Sequence, residues 1–413
     1  MICSKIGLQP EPRSDVADVV VIGAGIAGCS VGWHLAAKHN VTVVERGSVA
    51  GSEASAHNAG MVRLLGEDPA ERALAIRTAD RLRSPGLDWD KDQLSRVTGA
   101  VLGLAHDPLH LHDGVAHLRA HGVAIEALQD ADLVRIAPGL AGAPLKARWW
   151  LPEARVVDAH TLVQGLVRGL VRQGAAMLYN SPVQSLALRS GQVIGVQCPQ
   201  GVIRADHVIL AAGAWSHQLT DMLGVERPLY PLRRTLLSTT SGAVQSAAHP
   251  WCWIDDEGLY FRPETTGWLM SACDEHLDLP KATGSSRGAV QPTQRALLHD
   301  KVSRFLPALA DVQSRQGWSG LRTFASDRSP MLGPDPQLPG LWWASALGGY
   351  GVTCSFGVGE ALQAWLAGAP PGWLHAGGVQ PDRHMLGRFP IRPTGQLHRP
   401  RLVSQNQLGD ARD

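Results

Sequence analysis

Residues 17–47 read ADVVVIGAGIAGCSVGWHLAAKHNVTVVERG. DVVVI (18–22) is the kind of continuous apolar run that a strand covered on both faces shows in a parallel sheet. Gly23, Gly25 and Gly28 follow at G-x-G-x-x-G spacing, and the pattern predicts a helix from about Ala24 to Lys38. NVTVVER predicts a second strand ending at Glu45. A strand, a glycine turn, a helix and a strand closed by an acid form the unit that holds a dinucleotide pyrophosphate. Gly23 permits the tight turn, Gly25 the approach of backbone to phosphate, and Gly28 the close packing of helix on strand. The phosphate charge would rest on the unpaired N–H groups of the helix N-terminus, and Glu45 would accept from ribose hydroxyls.

HVILAAGAW (207–215) reads as another buried parallel strand of the same layer. Far downstream, GLWWASALGGYGVTCSFGVGEALQAWLAG repeats the order of strand, glycine turn and helix. A nicotinamide enzyme needs only the first unit, whereas a fixed flavin explains both. A helix starting near Thr353 would aim its positive end at the N1/C2=O edge of the ring, where charge collects on reduction. A purely structural turn is the alternative.

Between these units, 160–175 predicts an amphipathic helix, and Pro69–Arg83 a second helical stretch. Residues 226–316 read as antiparallel strands followed by a helix. The fold class expected is α/β: a discontinuous Rossmann-type domain over 16–85, 146–225 and 317–389, with an inserted α+β domain on a mixed sheet over 86–145 and 226–316. Residues 390–413 read as a disordered tail.

The chain of 413 residues carries 38 basic and 37 acidic side chains, a balance that implies neither a nucleic acid nor an anionic membrane as partner. Six cysteines form no C-x-x-C pair, no disulfide framework and no metal-ligand pattern, and Cys29 reads as a small core residue. The first fifteen residues lack an apolar run of signal-peptide length, and no run is long enough to span a membrane, so a cytoplasmic location is expected.

Three segments, the first unit, GSEASAHNAGMV, and GLRTFASDRSPMLGPDPQLPG with the second unit, resemble the FAD-dependent D-amino acid oxidase family. Among its members, WIDDEGLYFRPE, GLRTF and GGYG look most like D-arginine dehydrogenase, while SEASAHNAGMV is closer to the D-amino acid dehydrogenase pattern. The resemblance implies FAD contacts at Gly23, Ala24, Gly25, Ile26, Ala27 and Gly28, then at Glu45 and Arg46. It adds Ser55, Asn58, Ala59, Gly60 and Met61 in the loop that runs past the pyrophosphate to the ring, and Val183 at the adenine. Ala212, Gly213 and Trp215 match a further segment, and Gly348, Gly349, Tyr350, Gly351, Val352 and Thr353 match the turn at the flavin ring. Relatives that tether flavin through a cysteine do so near Gly320, where this chain has no thiol, so FAD is expected to be non-covalent.

For chemistry, the resemblance implies a carboxylate-binding Arg322 and a Tyr260 donating to the same carboxylate. The implied reaction oxidises an amino acid, preferably a D-amino acid, to the imine and then the 2-oxo acid by hydride transfer to flavin N5. Reoxidation would fall to O2 or a quinone. The alternatives are a glycine- or sarcosine-type amine oxidase, a 2-hydroxy acid substrate, and a flavin-carrying subunit of a larger dehydrogenase. His57 is either a proton acceptor, a partner for a flavin oxygen or an ordinary loop histidine. Arg233 and Arg234 are candidates for holding carboxylates between domains. Asp88, Asp90 and Asp92 read as a solvated face, with contact to a basic substrate group as the alternative.

Overall fold

The computed structural model describes residues 16–222, 227, 229–244, 248–281, 283–368, 370 and 372–373. The expected leader and tail lie outside these residues.

Two large sheets divide the chain. The first has eight strands. Val16–Ile22 lies between Gly201–Leu210 and Val41–Val44, and Ala176–Leu178 and Leu341–Ser345 extend the layer, all through parallel pairing. Met331–Pro334 closes one edge in antiparallel fashion. Val19, Val20 and Val21 are fully buried, as strands with both faces covered require. Helices Ile26–Leu35, Ala159–Arg172 and Ser355–Leu366 share one core with Val19, Val21 and Val43. Helix Pro69–Arg83 packs on Ser355–Leu366; Asp68 caps it by accepting from the Ala70 N–H at 2.7 Å, with Pro69 in its first turn.

The second sheet has nine strands. It runs from His276–Leu277 through Leu229–Thr239, Gly267–Ser271, Leu259–Glu264, Trp251–Ile254, Ala100–Leu104 and Ala147–Leu151 to Glu126–Ala127. Ser314–Ala325 pairs along the whole of Leu229–Thr239. Segments 147–151 and 317–325, placed with the cofactor domain by sequence, therefore hydrogen-bond into this second sheet. Short runs such as ARWWL carry no signal of which sheet they join.

Strand alternation sorts this sheet into two faces. Phe261, Met270 and Leu237 are cross-strand neighbours, and they join Leu298, Val302 and Phe305 of helix Pro292–Phe305 in a separate core. The opposite face carries Trp253, Tyr260 and Ser271, which oppose one another across three strands. On the long pair, Arg322 opposes Leu232 and Arg234 opposes Gly320, so both arginines share that same face. This face looks toward the first sheet: Tyr260, Leu236 and Trp251 belong to its core cluster.

Candidate active site

A cleft of about 640 Å³ lies along the C-terminal ends of the parallel strands. This is where open parallel sheets bind ligands. Its walls include Gly23, Gly25, Ile26 and Ala27 of the first turn, Glu45 and Arg46 after the second strand, and Ser55 and Asn58 of the following loop. Val183, Ala212, Gly213 and Trp215 line it too, as do Gly348, Gly349, Gly351 and Val352. The cleft thus gathers residues separated by more than three hundred positions.

The remaining expected contacts sit behind that wall. The Ala24 N–H donates to Glu45 Oε2 at 2.8 Å. Gly28 packs on the Gly23 carbonyl so tightly that an added Cβ would overlap it. Ala59 and Gly60 face a second, smaller cavity of about 260 Å³. Met61 accepts from the Thr353 hydroxyl at 3.2 Å, and the Tyr350 ring lies against the Arg63 guanidinium.

The lining of the cleft suits an anionic ligand approached closely by backbone. Gly23 has φ +101°, and a Cβ there would come within 2.7 Å of the Ala211 carbonyl. Helices Ile26–Leu35 and Ser355–Leu366 both begin beside the cleft with no bond from an N-cap side chain; Ser55 Oγ accepts from the Ile26 N–H at 3.0 Å and Thr78 Oγ1 from the Gly357 N–H at 3.3 Å, and the positive helix ends favour an anion there. At Gly213, Gly349 and Gly351 a Cβ would meet nothing within 4 Å, so the backbone there faces open cleft. Glu45 is nearly buried and its two oxygens accept from the Ala24 and Gly47 N–H groups, which fixes the carboxylate at the end of its strand.

A strap formed by residues 278–281 and 283–288 spans one end of the cleft. Trp215 Nε1 donates to the Lys281 carbonyl at 2.8 Å, and Gln218 to that of Pro280 at 2.9 Å. Glu53 accepts from the Ser286 N–H at 2.9 Å and its hydroxyl at 2.6 Å, and pairs with Arg46 at 3.0 Å. Arg46 donates to the Gly284 carbonyl at 2.9 Å and lies 3.6 Å over the Trp215 ring. Arg233 anchors the other side of the strap through Asp278 at 2.6 Å and the Ser286 carbonyl at 2.9 Å. Glu53 lies within GSEASAHNAGMV but carries no role there, Gln218 and Ser286 lie in no motif, and sequence reasoning missed all three.

Arg322 lines the cleft and is buried. Its guanidinium donates to the His57 carbonyl, and to that of Ala54 at 3.5 Å. Burial lowers its pKa, Tyr260 opposes that, and Arg234 adds to it. Tyr260 does not line the main cleft but is buried on the same sheet face. Burial raises the pKa of its phenol, which keeps it a hydrogen-bond donor. Arg234 pairs with Glu275, which Arg328 also holds at 2.6 Å. The Cβ of a side chain at Gly320 would press on His57 at 2.9 Å. The imidazole of His57 is itself buried, its pKa lowered by desolvation, and its Nδ1 meets no partner among the described residues. Asp88 is not on a solvated face: it is buried and takes two bonds from Arg172, at 3.0 and 2.8 Å, and one from Trp33 at 3.1 Å. Cys29 is a core thiol, pushed up to about 12 by burial. No helix among the described residues is long and apolar enough to cross a membrane.

Residues 18–365 match the family described as FAD dependent oxidoreductase, DAO. The chain belongs to that family. Its members bind FAD, and the glycine cradle and helix N-termini described above fit such a group. The DAO chain is 27% identical over 415 residues to a D-amino acid dehydrogenase of Paramagnetospirillum magneticum, covering 85% of this chain and 95% of the relative. It is 26% identical over 415 residues to human mitochondrial dimethylglycine dehydrogenase; that match covers 90% of this chain but 45% of the larger protein. Among solved structures it is similar to L-proline dehydrogenase from P. horikoshii, at TM-score 0.76 and 18% identity, covering 90% and 97% of the two chains. Glycine oxidase from Geobacillus kaustophilus is similar at TM-score 0.74 and 20% identity, covering 91% and 99%. The fold is that of FAD-dependent oxidoreductases, and the chain is an oxidoreductase of this family.

Proposed function

We propose that this flavoenzyme oxidises an amino acid, with a D-amino acid preferred, to the imine, which water then hydrolyses to the 2-oxo acid and an amine. The observation that carries the reading is the placement of Arg322 on the cleft wall and of Tyr260 on the same sheet face. A buried guanidinium and a protonated phenol together suit one carboxylate: the first supplies a planar fork, the second a single O–H.

Gly23, Gly25, Glu45, Gly213 and Gly349 would hold FAD, which would supply the two-electron acceptor. Its attachment is non-covalent, since Gly320 offers no thiol. Arg322 and Tyr260 orient the substrate by its carboxylate, so that one Cα–H bond is presented to the cleft. The amine would give up one proton to solvent, and the Cα hydrogen would leave with its bonding pair as a hydride to the two-electron acceptor, so that the nitrogen lone pair closes the C=N bond of the imine. The bonds to the Ala54 and His57 carbonyls use one N–H from each terminal nitrogen of Arg322, and its guanidinium carries further N–H donors for a carboxylate. The cell location proposed is cytoplasmic, with O2 or a quinone as the terminal acceptor.

Anaerobic bleaching of the flavin band by a panel of D- and L-amino acids, glycine, sarcosine and dimethylglycine tests this. Rapid bleaching by D-amino acids supports the preferred substrate. The likeness to dimethylglycine dehydrogenase favours a second reading, a secondary or tertiary amine bearing the same carboxylate. Bleaching by sarcosine or dimethylglycine alone would select it, and no bleaching by any of them would overturn both.

A further inference from the structure

Arg63 belongs to no motif, yet it touches both sheets' working parts. Its backbone N–H donates to the Thr353 hydroxyl at 3.2 Å, and that hydroxyl donates to the Met61 carbonyl at 3.2 Å. Its guanidinium lies 4.5 Å from the centre of the Tyr350 ring and 4.2 Å from that of Trp253. It also pairs with Asp255, and the two side chains are 9% and 6% exposed.

These partners come from two places. Tyr350 and Thr353 belong to the glycine turn at the cleft. Trp253 and Asp255 belong to strand Trp251–Ile254 and the turn after it. Trp253 lies directly across from Tyr260, with ring centres 4.7 Å apart and planes 31° apart. One planar cation therefore joins the 348–353 turn to the indole on which Tyr260 rests.

The ion pair alone does not account for this arrangement. Removing two charges from water costs about as much as their attraction returns. Contact with two rings uses the flat, delocalised guanidinium, a shape that lysine lacks. We infer that Arg63 is a positioning residue that sets the spacing between the 348–353 turn and the Tyr260 hydroxyl, and thereby the fit of the substrate carboxylate between Tyr260 and Arg322. The inference rests on the amino acid reading given above.

The test compares the wild-type holoenzyme with Arg63→Met and Arg63→Lys. Benzoate serves as a carboxylate probe, its Kd measured by calorimetry, alongside KM and kcat for the best amino acid. Arg63→Met is expected to weaken benzoate and raise KM about tenfold, with a smaller change in kcat. Arg63→Lys restores charge opposite Asp255 but not the plane, and is expected to stay closer to Met than to wild type. A role as mere glue between the sheets predicts lower Tm with benzoate affinity unchanged, and benzoate Kd and KM within about twofold of wild type in either variant overturn the inference. So does full rescue by lysine. If Arg63→Met fails to fold, Arg63→Lys and Trp253→Phe carry the same readouts; the phenylalanine keeps a ring for both neighbours and should lose less than Trp253→Leu. Wild-type enzyme that is neither bleached by amino acids nor binds benzoate sinks the functional reading, and this inference with it. Wild type that responds while its variants match it sinks this inference alone.

Discussion

Arg322 donates to the backbone carbonyl of His57, which ties the strand bearing the guanidinium to the loop that lines the cofactor cleft. The cation proposed to bind the substrate carboxylate is thus held to a loop whose neighbours line the cleft. Arg322→Lys keeps a charge but loses the fork. It is expected to raise KM for amino acids by about a hundredfold, roughly 3 kcal/mol, with FAD content preserved. Steady-state kinetics on the purified holoenzyme measure it; an unchanged KM removes Arg322 from carboxylate binding.

Glu53 gathers Arg46 and both polar groups of Ser286, so it latches the strap to the cleft mouth. Glu53→Gln turns one of the two acceptor oxygens into an NH2 donor, so it can keep only the Arg46 side or the Ser286 side, and it removes the charge from the Ser286 bonds. FAD is expected to dissociate at least roughly tenfold faster, with KM for the amino acid little changed. Recovery of flavin fluorescence on dilution reads the off-rate, and equal rates in the two proteins reject the latch.

Two glycines separate fold from cofactor. At Gly28 an added methyl would overlap the Gly23 carbonyl, so Gly28→Ala lowers the Tm of apoprotein by several degrees. At Gly349 a Cβ meets nothing within 4 Å, so Gly349→Val leaves the apoprotein Tm unchanged and weakens FAD. Calorimetry without FAD and reconstitution with it distinguish the two. The pattern reversed, with Gly349→Val destabilising and Gly28→Ala harmless, contradicts the geometry.

His249 makes stability depend on pH. Its ring is buried between the Pro250 carbonyl, at 2.7 Å from Nδ1, and the Gly139 N–H, which donates to Nε2 at 3.0 Å. Protonating Nε2 would set two donors against each other, and burial lowers the pKa to about 4. In the unfolded chain the group titrates near pH 6.5, so between there and pH 4 the unfolded state holds more protons. Stability from this histidine is full above about pH 6.5 and is lost as pH falls toward 4, by up to about 3 kcal/mol. His249→Gln retains an acceptor for the Gly139 N–H and has no proton to gain. Denaturant melts of both proteins at pH 7 and pH 4.5 are expected to show the wild type losing more stability than the variant; parallel losses contradict the assignment.

The parallel layer was readable because each of its parts carries local chemistry: apolar runs at 18–22 and 207–210, glycines where backbone crowds backbone, and an acid closing the second strand. The turn at 348–353 was readable for the same reason. Tyr260 and Arg322 entered through resemblance, and only strand register shows that they share a face. The strap and Arg63 gave no such signal. Glu53 meets Ser286 across 233 positions, and Arg63 meets Asp255 across 192, through loop side chains without periodicity. Asp88 misled because its hydrophilic neighbours hid the partner, Arg172, that a helix 84 residues later supplies.

Strand Val16–Ile22 cannot be flanked on one side until 201–210 exists, and that neighbour waits in turn for 341–345. On the ribosome, the glycine turn emerges before these sheet neighbours and must stay unfinished until they follow. Truncating the C-terminal third should therefore yield insoluble product rather than a smaller nucleotide-binding module, and splitting the gene into two separately expressed halves would require both to be present before either settles.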